Sequence, residues 1–146
     1  MNARYRLPAI LSLPLALLLA VAAVGGIFVP AVYAREHPFW AAQGLGQDWV
    51  DLILVSPMLA ALSYLTLKQS RIGALLLAGT LAYVLYSMVL YAFFMHFGPL
   101  FLVYAAALGV AFYATIGMIC ALRADDVRAW FEPSVPVRAA GAGSVM

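Results

Sequence analysis

Long runs without charge recur four times along the chain. Residues 7–34 carry no charged side chain, and a second run covers 49–67 with one acid, Asp51, in its first turn. A third extends over 72–97 and a fourth over about 99–122. About 20 apolar residues cross roughly 30 Å of hydrocarbon as a helix, so each run predicts a membrane-spanning α-helix. Backbone groups in lipid must pair within their own segment, and no polar–apolar alternation suggests a barrel. The expected fold is all-α and integral to the membrane: a four-transmembrane-helix bundle with spans over about 8–34, 49–67, 72–97 and 99–122. Residues 1–122 make that domain. Residues 123–146 read as a cytoplasmic tail, with a short interfacial helix and then a disordered segment of Pro, Ser, Val, Ala and Gly.

The connections follow from the same pattern. The four residues 68–71 form a turn that makes spans two and three antiparallel neighbours. Gly98-Pro99 joins spans three and four, with Pro99 suited to the first helical position. The stretch 35–48 reads as the one sizeable loop. Arg4 and Arg6 ahead of an apolar run, with Val32-Tyr33-Ala34 near its end, resemble a secretory signal. The run is about twice the usual length of such a segment, so the first span is expected to be retained.

Composition sharpens this reading. Of the 146 residues, 66% are hydrophobic and 10% charged, too little charge to wet a soluble surface. A soluble enzyme, a nucleic-acid-binding domain and a disordered chain are thereby excluded. The net charge of +2 is dispersed and leaves no footprint for DNA or RNA. Cys120 is the single cysteine, so neither an internal disulfide nor a cysteine metal motif is open to the chain. With both termini cytoplasmic, Arg4, Arg6, Lys68, Arg71, Arg123, Arg128 and Arg138 fall inside and only Arg35 outside. That split predicts an N-in/C-in orientation. Trp40 and Trp49 then belong to the outer aromatic belt, and Trp130 and Phe131 to the inner one.

Helices associate in lipid through small residues and interhelical hydrogen bonds. Ala74, Ala78 and Ala82 form one such stripe, and Ala105, Gly109, Tyr113 and Gly117 another. Both suit packing inside one bundle or between subunits. Pro14 and Pro57 each remove a backbone hydrogen bond, and Pro57 allows a kink.

Residues with chemical potential gather at the outer end. Gln47, Asp48 and Asp51 open the second helix, Tyr91 and His96 close the third, and Tyr104 begins the fourth. Glu36 and His37 lie on the preceding loop. Ionisable groups at membrane depth are costly and mark ligand sites or pathways, so Gln47, Asp48, Asp51, Tyr91, His96 and Tyr104 are the candidate ligand-binding residues. The alternative for the two aspartates is capping, with Asp48 as N-cap and Asp51 as its capping-box partner. Gln47 precedes Asp51 by four residues and shares its face. His96 with Asp51 or Glu36 could form a proton-linked pair. His37 and His96 lack the spacing of metal or haem ligands, so no metal and no cofactor are expected. Tyr83, Ser87 and Tyr91 share one face of the third span, with Tyr86 beside it and Ser56 across on the second. They read as interhelical hydrogen-bonding groups or as the wall of a polar cavity.

No nucleophile elbow, P-loop, dinucleotide fingerprint, zincin helix or channel filter occurs. The strings Gly26-Ile27-Phe28-Val29-Pro30, Gly46-Gln47-Asp48, Tyr83-x-x-Tyr86, Tyr91-Ala92-Phe93 and Pro99-Leu100-Phe101-Leu102-x-Tyr104 together resemble a group of small four-span bacterial membrane proteins. The likeness covers roughly residues 20–120. That group commonly has Asn before the Pro-Leu-Phe string, where this chain has Gly98. The resemblance implies the four-span fold and a bacterial membrane location, which for a helical bundle is expected to be the cytoplasmic (inner) membrane, and it implies no activity.

The function expected from these residues is non-enzymatic. A small membrane protein would bind a ligand or a partner subunit through the acidic, tyrosine-lined outer end. Its partners are the lipid bilayer and a homo-oligomer or larger membrane complex, with no nucleic acid. The alternatives are a homo-oligomeric transporter or channel for a small solute or cation, and a quinone- or haem-linked redox protein.

Overall fold

The computed structural model describes residues 3–130, which are mostly helical with no strand among them. The helices are α1 (Arg6–Phe28), α2 (Pro38–Val50), α3 (Ser56–Leu67), α4 (Arg71–Phe94) and α5 (Phe101–Ala124). A π-turn over Asp51–Val55 joins α2 to α3 without a break. Among the described residues, four helical segments are therefore long and apolar enough to cross a membrane: Ala3–Phe28, Pro38–Leu67, Arg71–Phe94 and Phe101–Ala124.

Prolines and glycines set the boundaries, and several differ from the hydropathy pattern. The first helix stops at Phe28 instead of running to 34, because Pro30 forces Val29 into extended backbone (φ −108°, ψ 100°). The stretch 35–48, read as a loop, is helical from Pro38. Pro38 takes a first-turn position that needs no N–H, and the His37 ring nitrogen Nδ1 accepts the Phe39 N–H at 3.3 Å. Asp48 and Asp51 thus lie inside a continuous helical segment, and the capping-box reading of them fails. The helix expected from Pro99 starts at Phe101, whose N–H reaches the Gly98 carbonyl at 3.1 Å. Pro57 lacks the N–H that would close on Ile53, and the ladder widens just before it, with Ser56 N–H reaching back to Asp51. A π-turn stands where a kink was allowed.

The packing makes a closed ring. α1 lies against α3 and α5, and α4 lies against the same two helices. Small residues permit the close approach: Ala9, Ala16, Ala22, Ala74, Ala107, Ala111 and Ala114 all face the core, between Leu15, Leu59, Leu77, Leu81 and Met118. Of the stripe on α4, only Ala74 is buried, while Ala78 is half-buried and Ala82 exposed. Of the stripe Ala105, Gly109, Tyr113 and Gly117, Ala105 and Tyr113 are exposed and open space lies beyond Gly109, while Gly117 faces Pro8 of α1. A second small-residue series on the same helix, through Ala107, Ala111 and Ala114, occupies the interior instead. Large apolar side chains such as Leu17, Ile53, Ile72, Phe93 and Leu102 point outward on every helix.

One end of the bundle carries Lys68, Arg71 and Arg123 and is called the basic end. There α3 closes with the Ser70 N–H on the Leu65 carbonyl at 3.0 Å and the Gln69 N–H on Thr66 at 2.9 Å. Gln69 takes the left-handed conformation of that motif (φ 67°). Ser70 then caps α4, its Oγ accepting from Gly73 N–H at 3.1 Å. Tyr5 donates to the Ala121 carbonyl at 3.2 Å, and Trp130 packs on Tyr5 and under Arg71. Phe131, Arg138 and the tail expected to be disordered lie outside the described residues.

Candidate functional site

The opposite, acidic end is built around two carboxylates, each only 2% exposed. Asp48 is seated by a gap in α1. A Cβ on Gly26 would come within 1.8 Å of Asp48 Oδ2, so only glycine leaves room for the carboxylate. Tyr33 donates to Oδ2, and the Tyr91 hydroxyl lies 3.3 Å from Oδ1 and 3.2 Å from the Gly44 carbonyl. Gly44 in turn admits the Tyr33 ring, which a Cβ would meet at 2.6 Å. Burial, with the Tyr91 hydroxyl and the Asp48 carboxylate close by, pushes the Tyr33 hydroxyl far above the ordinary phenol range. Tyr33 therefore remains a donor to Asp48.

Asp51 stands on the π-turn and receives one bond, from Gln47 Nε2 at 2.9 Å. The same amide nitrogen donates to the Tyr83 hydroxyl and so ties α2 to α4. The shared face of Gln47 and Asp51 follows from their spacing of four. Neither aspartate is paired with a Lys, Arg or His among the described residues. Tyr104 joins the cluster through its ring, 5.1 Å from that of Tyr91. It is 5% exposed, and its hydroxyl is a buried polar atom with no hydrogen-bond partner.

His96 stands apart from these residues. Its backbone N–H and ring Nδ1 both meet Glu36 Oε1, at 2.8 and 2.9 Å, so of its two possible partners it takes Glu36 and not Asp51. The His96 side chain is 63% exposed and that of Glu36 only 7%. Partial burial pushes the Glu36 carboxyl up, but the two His96 bonds and the imidazole charge outweigh it and bring it below its usual range. Among the described residues, no three His, Cys, Asp or Glu side chains stand together as a metal site.

In front of this network lies a cleft of about 430 Å³ between α2 and α4. Tyr83, Ser87 and Tyr91 form its α4 wall, with Tyr86 at the edge, while Glu36, Trp40 and Gln47 line the other side. The polar stripe read on the third span lines this cleft, and Tyr83 and Tyr91 also make interhelical hydrogen bonds to α2. Ser56 lies elsewhere, donating to the Ala16 carbonyl at 2.6 Å and joining α3 to α1. Sequence reasoning missed Tyr33, which sat in a string resembling a cleavage site, and the two glycines that make room around it. The spacing Gly44–Asp48, one turn apart, was the available signal. Comparison with protein-family models, curated proteins and solved structures found no match to this chain.

Proposed function

We propose that the chain is an integral membrane protein that binds a small amphiphilic molecule in the cleft between α2 and α4. The outward apolar faces support insertion, since a protein in water rarely exposes such continuous apolar surface. The basic end, with Arg4, Arg6, Lys68, Arg71 and Arg123, would face the cytoplasm, which puts both termini inside and the cleft on the outer side of a bacterial inner membrane. The observation that carries the reading is the cleft itself. Its volume of about 430 Å³ suits a small ligand, and Gln47 and Tyr91 form its polar floor with Asp51 and Asp48 directly behind. Leu90, Phe94 and Met95 supply an apolar wall for a short hydrocarbon arm.

Native mass spectrometry of the protein extracted gently from its own membrane tests this. A small added mass is expected, and it should vanish in Leu90→Trp, which fills the cleft. A bare monomer in both forms, or a mass that survives Leu90→Trp, would overturn the reading. The outward stripe of Ala105 and Gly109 on α5 favours a second reading, a transporter made of several copies. For that reading, Gly109→Leu should change the oligomeric state in the same spectra.

A further inference from the structure

We propose that the cleft takes an organic cation, a quaternary ammonium or similar soft cation bearing an apolar arm; this rests on the ligand-binding reading above. Five aromatic rings surround the space: Trp40, Tyr83, Tyr86, Tyr91 and Phe94. The faces of such rings carry negative potential and hold a desolvated cation. No Lys, Arg or His lines the cleft, so an anion finds no charged partner there.

The hydrogen-bond directions point the same way. Gln47 makes both of its side-chain bonds through Nε2, to Asp51 and Tyr83, which leaves its carbonyl oxygen as the atom to offer a ligand. The Tyr91 hydroxyl proton has acceptors within the protein, Asp48 Oδ1 or the Gly44 carbonyl. The Asp51 carboxylate thus turns the Gln47 amide so that its carbonyl oxygen is left for the cleft, beside the aromatic rings that line it. Glu36 adds a carboxylate at the rim: both His96 bonds use Oε1, so Oε2 stays open to a ligand. A quaternary ammonium donates no hydrogen bond and needs only this electron-rich wall.

Three probes of one shape separate the possibilities: benzyltrimethylammonium, its neutral carbon isostere neopentylbenzene, and benzylsulfonate. Binding is read from the fluorescence of Trp40 in a Trp49→Phe/Trp130→Phe background in lipid nanodiscs, with Leu90→Trp as the blocked control read by calorimetry. The cation should bind about tenfold tighter than either other probe. Glu36→Gln should narrow that preference several-fold while leaving the isostere unchanged. Equal binding of cation and isostere, or tighter binding of the sulfonate, would overturn the cation assignment and leave the cleft reading standing. No saturable, Leu90→Trp-sensitive binding of any probe would overturn both.

Discussion

The two ends of the bundle close by different means. At the basic end most bonds run to the backbone, with Tyr5 on the Ala121 carbonyl, Ser70 Oγ accepting from Gly73 N–H and the turn through Gln69, while Tyr5 also meets the Asp125 side chain. At the acidic end side chain meets side chain, with Tyr33 and Tyr91 on Asp48 and Gln47 on both Asp51 and Tyr83. The basic end shows that this bundle can be closed without a buried carboxylate. Burying one without a cationic partner is costly, and stability alone seldom explains it. On the ligand-binding proposal, the polarity of the acidic end serves the cleft it borders.

The contrast is broken most severely at glycine. Gly26→Ala drives a methyl into Asp48 and should cost about 3 kcal/mol, since the displaced carboxylate loses its tyrosines. Gly117→Ala, toward the basic end, meets only Pro8 at 3.6 Å and should gain about 0.5 kcal/mol from helix propensity. Thermal unfolding of both variants in one detergent decides it; equal effects would mean that Asp48 does not depend on the gap.

Within the acidic end the two packed tyrosines should part company. Tyr91→Phe removes a donor to Asp48 and is expected to destabilise by about 2 kcal/mol. Tyr104→Phe deletes a hydroxyl without a partner and should stabilise by up to about 1 kcal/mol. Loss of stability in the second variant would show that this hydroxyl is engaged in the membrane-bound protein.

The basic end holds its own improvable position. Gln69→Gly relieves the left-handed backbone and should raise stability by about 1 kcal/mol without altering ligand binding.

A small effect also belongs to the Glu36–His96 clasp. At neutral pH Glu36→Gln should cost only about 0.5 kcal/mol, because His96 is exposed and screened. The Glu36 carboxyl is lowered in the folded state, so its contribution is complete above the unfolded value of about 4.3 and fades as pH falls through the lower folded value. Melting curves of wild type and variant should therefore converge on acidification, and a gap that widens instead would contradict the pairing.

Four apolar helices were legible because charge-free runs of spanning length admit few other structures, and the shared face of Gln47 and Asp51 followed from helical spacing. The start of α2 was not legible. Gly44, Gly46, Gln43 and Gln47 dilute the apolar signal, and a histidine cap followed by proline reads equally well as loop. Two small-residue series on α5 made its inner face ambiguous, since Ala107 and Ala105 look alike until neighbours choose between them. The seat of Asp48 depends on Gly26, more than twenty residues away, and contact at that separation leaves no local trace. Tyr33 stayed hidden for the same reason.

The unbroken rod from Pro38 to Leu67 has 30 residues, against 24 to 26 in the other three segments. At 1.5 Å per residue it measures about 45 Å, well beyond the roughly 30 Å of a hydrocarbon layer. In a bilayer with Leu67 at one boundary, an upright rod would reach the other near Asp48. The preceding turns of α2 would then stand among the headgroups, unless tilt draws them in. The mouth beside Trp40 and Glu36 would then open at headgroup level, and on the ligand-binding proposal bilayer thickness would set how readily a molecule reaches it from the leaflet.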